Sequence, residues 1–280
     1  MNNTKRAFNF VGSGFVNILI MAFSLFCLFP VFWMISSSIK EESDFLMNVA
    51  GLPRSINLQN YVHALTAGSL DRAFVNSAIV SVVAVALGLF LCFITGIVFA
   101  RYKFKGKNIL FIMFISGMLI PVHSLLIPLF IQLRTFNMLN NHFALALIYA
   151  VFSLPRGIFL VTAFASTIPK EIEEAVIIDG GSTHQLFFRI FLPMCKPVIG
   201  TLTILNFLDA WNEFPFALVF MGRAELQTLP IALTHFTGQF TVQFTLMIAG
   251  LTIATLPVVA VYLIFHKQIM QGMVAGSVKG

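Results

Sequence analysis

The stretch from Phe15 to Ile35, FVNILIMAFSLFCLFPVFWMI, contains no charge and lies inside a longer charge-free run from Arg6 to Lys40. About 20 mostly apolar residues are enough for a helix to cross the hydrocarbon core of a bilayer. A secretory signal has a shorter apolar core and a small-residue cleavage site, so the run is expected to be an uncleaved first span over 14–39. Similar runs follow at 73–100, 108–133, 142–167, 197–221 and 244–265. Only the fourth and fifth carry charge inside: Arg156 in one, Asp209 and Glu213 in the other. The expected fold is an all-α integral membrane protein with six transmembrane helices.

Composition supports this class. Of 280 residues, 58% are hydrophobic and 10% charged, with a mean hydropathy of +0.92. A soluble domain averages about 25% charged residues, so this chain cannot clothe an ordinary water-facing surface. Three cysteines, Cys27, Cys92 and Cys195, cannot form a complete set of pairs. Two of them sit in apolar runs as small hydrophobes. The net charge of +6 reflects loops facing the cytoplasm, because Lys and Arg set orientation, and nucleic acid is not an expected partner. Of the Lys and Arg residues, eleven fall on the side of the two termini and five on the other. Both termini are therefore expected to be cytoplasmic, with 40–72, 134–141 and 222–243 facing outward. No soluble domain or internal repeat is visible, and one membrane domain is expected to fill 1–280.

One loop differs in character from the others. From Ser166 to Pro197 it reads STIPKEIEEAVIIDGGSTHQLFFRIFLPMCKP. Pro169 suits a first helical turn, and Glu171, Glu173 and Glu174 lie near a helix amino end, where negative charge is favoured. Ile172, Ala175 and Val176 make an apolar stripe. Gly180 and Gly181 accept the left-handed conformation that stops a helix. Ser182 with Gln185 forms a capping-box pattern that restarts one, and the restarted helix runs to Pro193. By composition alone this loop could simply lie along the membrane surface.

Its pattern, however, resembles the EAA motif of permease subunits in binding-protein-dependent ABC importers. Glu174-Ala175-Val176, Asp179-Gly180 and Ile190-Phe191-Leu192-Pro193 carry the resemblance, with Val176 and Gly181 as small departures. Trp211-Asn212-Glu213-Phe214 with Phe216-Ala217-Leu218 is similar to a segment of the sugar permeases. The ending Gly272-Met273-Val274-Ala275-Gly276-Ser277-Val278-Lys279-Gly280 resembles that of the MalG-type partner.

The resemblance implies the type I importer permease fold, with a cytoplasmic coupling loop over 168–193 and a cytoplasmic tail over 266–280. It implies that Glu174, Ala175, Asp179, Gly180, Gly181, Leu192 and Pro193 seat a separate ATPase. It also implies that Gly272, Gly276 and Lys279 dock the tail. The implied partners are a second six-span permease, two cytoplasmic ATPase subunits and an extracellular or lipid-anchored sugar-binding protein. Sugar would be the substrate and the bacterial plasma membrane the location. ATP and Mg would bind the partner ATPases, with no cofactor or metal in this chain.

Asp209 and Glu213 are four residues apart and share one helix face. A carboxylate within a span faces protein or a water cavity. With Trp211, Asn212 and Arg156 they are the candidate substrate pathway, and helix–helix polar contact is the other role open to them. Arg156 could pair with either acid, line the pathway or snorkel. His123 reads as a satisfied core group, and Pro121 with Pro128 as flex points or packing kinks. No GxxxxGK[ST] or HExxH is present, so the chain is not expected to be an enzyme. The rival reading is an ion- or proton-coupled carrier using Asp209, Glu213 and Arg156. Such a carrier has no need of the loop at 168–193. A membrane scaffold without transport is disfavoured by the acids within a span.

Overall fold

The computed structural model describes residues 2–67, 69–238 and 242–277. Helices account for most of it, and one isolated antiparallel bridge joins Thr237 to Val242. By their contacts the described residues fall into two compact units.

The first unit comprises residues up to Leu70 together with His235–Ile253. It contains α1 (Asn2–Ser38), α2 (Glu42–Met47), α3 (Gln59–Ala67) and the first turns of a long helix, Phe244–Ser277. Every residue from Val16 to Phe32 of α1 is exposed. The segment after α1 folds around Lys40, whose side chain is fully buried. Its ammonium donates to Asn48 O at 2.7 Å and Val49 O at 3.3 Å, since a buried cation must be hydrogen-bonded. Asn60 donates to Ser38 O and Lys40 O, closing the same turn. Glu42 accepts the backbone N–H groups of Phe244 and Thr245 at 3.1 and 2.9 Å, satisfying orphan donors at a helix start.

The second unit comprises Asp71–Thr234 and the chain from Ala254 onward. It is built from α4 (Leu70–Arg101), α5 (Lys107–Ser116), α6 (Leu126–Thr135), α7 (His142–Ala165) and α8 (Glu171–Ile178). After these come α9 (Thr183–Gln185), a π-helical turn Leu186–Phe191, α10 (Leu192–Met194) and α11 (Lys196–Trp211). Two short helices, α12 (Pro215–Phe220) and α13 (Leu229–Thr234), lead to α14 (Phe244–Ser277). The helices α4 and α7 approach closely through small residues, as membrane helices do. A Cβ on Gly96 would lie only 2.6 Å from Val161 Cβ, and one on Gly157 would collide with Cys92 Sγ. Around this contact Phe93, Ile97, Val161, Phe187 and Leu202 form one core. Val80, Leu145, Tyr149, Phe216 and Phe220 form another.

Among the described residues, four helices are long and apolar enough to cross a membrane unaided: Val16–Ser38, Leu70–Arg101, His142–Ala165 and Phe244–Gln268. The third and fifth expected spans differ from unbroken helices. Over 108–133 the chain bends by 94° between Lys107–Leu119 and Val122–Thr135, and Thr183–Met194 meets Lys196–Trp211 at 73°. The first break lies before Pro121, whose ring disfavours the helical conformation in the residue before it. Ile120 accordingly adopts φ −80°, ψ 120°. The helix expected over 197–221 stops at Trp211 because Pro215 has no N–H to donate to Trp211 O. The last helix runs beyond 265, to Ser277.

Candidate functional site

The break before Pro121 and the one after Trp211 border the same cavity, of about 820 Å³. Its walls are the break between α5 and α6, the stretch Leu208–Phe216 and one face of α7. That volume lies within the range of small-molecule sites, about 300–1,000 Å³.

The charges expected in the fourth and fifth spans meet here. Arg156 on α7 lies 2.6 Å from Asp209 on α11 and donates to Asn206 Oδ1 at 2.9 Å. Arg156 is thus committed to Asp209 rather than Glu213. The Asp209 side chain is 64% exposed and the Arg156 side chain 32%, so the pair stands at the cavity wall. Glu213 has a different set of partners. Its carboxylate accepts the backbone N–H groups of Phe216 and Ala217 at 2.8 and 3.0 Å and the Tyr149 hydroxyl. Those N–H groups are orphan donors of the first turn of α12, so the carboxylate restarts the chain that Pro215 interrupts.

Trp211 lies apart from the other pathway candidates. It is buried, donates from Nε1 to Ala254 O at 3.0 Å and packs against Phe74 and Phe207. Asn212 lines the cavity and donates to Leu208 O at 2.9 Å. His123, read from sequence as a core group, is exposed at the cavity and stacks on Phe216 with centroids 5.9 Å apart. The proline at the preceding break turns it there, and Pro121 was the available signal. Carboxylate and amide groups beside half-buried Phe152 give a wall that can accept hydroxyl donors and meet apolar ring faces. Among the described residues no group of three His, Cys, Asp or Glu could hold a metal ion.

The loop over 168–193 forms a compact second site. Pro169 precedes α8 rather than opening it, and the three glutamates occupy its first turn. Ile172, Glu173 and Val176 are half-buried, whereas Glu171, Glu174, Ala175 and Ile178 are exposed at helical spacing. The helix ends at Gly180, with φ +75°, and no positive φ occurs at Gly181. Gly181 instead packs so tightly that a Cβ would meet Val176 at 2.6 Å. Ser182 and Gln185 form the expected capping box, with reciprocal hydrogen bonds of 3.3 and 2.8 Å. The chain then continues as the π-helical turn Leu186–Phe191 before Pro193, which cannot donate to Arg189 O. Leu192 and Pro193 are exposed. Of the tail residues, Gly272 and Gly276 lie on α14, and Lys279 falls outside the described residues.

A set of apolar helices, broken around a cavity that holds a charged pair, describes a multi-pass membrane protein. The chain belongs to the family described as the inner membrane component of binding-protein-dependent transport systems, whose model matches residues 88–274. A sulfoquinovosyl glycerol transport system permease protein, SmoH, of Agrobacterium fabrum is 32% identical over 90% of this chain and 89% of its own length. An arabinooligosaccharides transport system permease protein, AraQ, of Bacillus subtilis is 30% identical, covering 95% of each chain. The fold is shared with a chain of a bacterial ABC transporter that imports the acidic polysaccharide alginate. There the TM-score is 0.79 at 22% identity, over 96% of this chain and 99% of that one.

Proposed function

We propose that this chain is one transmembrane half of an ATP-driven carbohydrate importer, of the MalG-type branch. A second six-span permease completes the pathway, and two separate ATPase subunits bind ATP and Mg on the cytoplasmic side. A sugar-binding protein delivers the substrate from outside. The carbohydrate-transporting relatives support the substrate class, and the excess of Lys and Arg on the side of the termini supports a cytoplasmic location for both ends. Asp209, Asn212 and Arg156 contribute polar groups to the sugar path. The tail, through Gly272, Gly276 and Lys279, extends toward the ATPases.

The observation that carries the reading is the exposed face of α8. Glu171, Glu174, Ala175 and Ile178 point away from the chain's own core, and Ile178 is 84% exposed. A stripe that mixes carboxylates with bare isoleucine is suited to a protein groove with basic residues at its rim. When ATP closes the ATPase dimer, α8 moves with it, and the helices around the cavity exchange inward- and outward-facing states. A few kcal/mol separates states that can be switched in this way.

Gly180→Val tests this reading. Nothing lies within 4 Å of a Cβ at Gly180, so the substitution acts through its φ of +75° alone. A β-branched residue there costs about 1–3 kcal/mol and re-aims α8. The variant is expected to insert normally and to lose ATPase co-purification or stimulated ATP hydrolysis. Normal hydrolysis and uptake in an inserted variant would reject the reading. Uptake that collapses with an uncoupler at constant ATP would favour an ion-coupled carrier instead.

A further inference from the structure

The side chain of Arg101, in the last turn of α4, is only 5% exposed. Its guanidinium touches the loop over 168–193 at three separate points. Nη2 donates to Ile168 O at 2.6 Å, just before α8. Nε lies 2.8 Å from Glu173 Oε1 on α8, as a charge contact without hydrogen-bond alignment. Cζ stands 5.5 Å from the centroid of the Phe191 ring, in the segment after the glycine turn. Glu173 is the half-buried glutamate of α8, and Glu171 and Glu174 remain on the open face. The acids of α8 therefore divide between an inner contact and an outer surface.

We propose that Arg101 is a positioning residue that clasps the loop to the end of α4, so that α8 and α4 move as one body. The inference rests on the reading that α8 docks an ATPase. A planar fork that donates, pairs and stacks at once fixes orientation as well as distance, which a lysine ammonium cannot do. Tyr102 and Phe93 add ring contacts to Phe187 at 6.3 and 6.2 Å, and the apolar cluster holds the loop's fold when the clasp is removed. Without Arg101, part of a displacement at α8 is lost in slack between loop and helix. With it, a shift of about 1–2 Å, typical of packed helices, passes whole into α4 and the glycine contacts it shares with α7.

The test uses nitroxide labels on Ile177→Cys and Lys105→Cys, both at exposed positions, in a Cys27→Ser background. The chain is reconstituted with its permease partner and ATPases, and label distances are read without nucleotide and after trapping with ATP and vanadate. With Arg101 present, the distance distribution is expected to be narrow and the same in both states. Arg101→Gln should broaden it by about 2 Å or more, the scale of a helix shift, and make it change with nucleotide. Arg101→Lys should restore it in part. Glu173→Gln removes one of the three points and serves if Arg101→Gln does not fold. A narrow, nucleotide-independent distribution in Arg101→Gln, or in Glu173→Gln where that variant serves, overturns the clasp. A second pair, from Ile177→Cys to the ATPase surface, reads docking itself. If that distance ignores nucleotide in the otherwise unchanged chain, the docking reading fails, and the clasp is still judged by the width of the first distribution.

Discussion

The loop around α8 and the end of α11 each carry acidic residues at helical spacing, yet they use them in opposite ways. On α8 two of three glutamates are exposed and one is turned inward to Arg101. At the end of α11 and just beyond it, Glu213 is consumed by Tyr149 and two backbone N–H groups, and Asp209 is held by Arg156. A carboxylate inside a span persists only where the chain supplies its partners. A carboxylate on a loop can wait for another molecule. A change to Glu213 should therefore appear first as lost stability, and changes to the exposed glutamates of α8 as lost coupling.

The largest effect that sharpens this contrast is expected from Glu213→Ala. It removes the acceptor for the first turn of α12 and strands the buried Tyr149 hydroxyl. Together these cost about 2–4 kcal/mol, visible as a lowered unfolding midpoint in lipid nanodiscs. A midpoint equal to that of the unaltered chain would break the contrast at its buried end.

Asp209→Asn should behave differently, because its side chain is largely exposed at the cavity. Loss of a pair this open changes stability by less than about 1 kcal/mol. Uptake measured over a panel of labelled oligosaccharides should nevertheless fall by roughly tenfold for those it carries, as expected when a charged acceptor is lost. Full uptake combined with a strongly lowered midpoint would make the pair structural and remove Asp209 from the path.

The smallest effect belongs to Glu225, exposed beside Arg223. Its own backbone N–H and then the Arg223 side chain hold its carboxyl below the ordinary value of 4.5. The folded value is the lower one, so any stabilisation is present above 4.5 and is lost as pH falls through the lowered value. Screening by solvent makes it slight. Glu225→Gln should leave the unfolding midpoint unchanged at neutral pH and reduce its acid sensitivity barely measurably. A clear loss at neutral pH would show that this ion pair matters more than its exposure allows.

Several of these features were legible from residues alone. The runs between charges located the long helices, and Gly180 with the Ser182–Gln185 box located the turn and restart that flank α8. That Arg156 meets an acid was one of the open readings, but periodicity gives no azimuth between two helices whose paired residues lie 53 positions apart. The breaks at Ile120 and after Trp211 were harder, because hydropathy is blind to backbone direction. Pro121 and Pro215 carried that information through their missing N–H groups and the restriction on the residue before them. The burial of Lys40 was hidden for a related reason. Its partners are the carbonyls of Asn48 and Val49, and every residue type has a carbonyl. The role of Arg101 was masked too, because a basic residue at the end of a span reads as an orientation signal.

The Arg156–Asp209 pair also sets an order of events during synthesis. Arg156 places a charge in the middle of α7, and the carboxylate that neutralises it lies 53 residues later in the chain. At about 5–20 residues per second, the ribosome needs roughly 3–10 s to supply it. Through that interval α7 carries an uncompensated cation. The insertion machinery must shelter it, or the helix must wait near the membrane surface until α11 arrives. The first helix carries no charge from Val16 to Ser38 and needs no such delay.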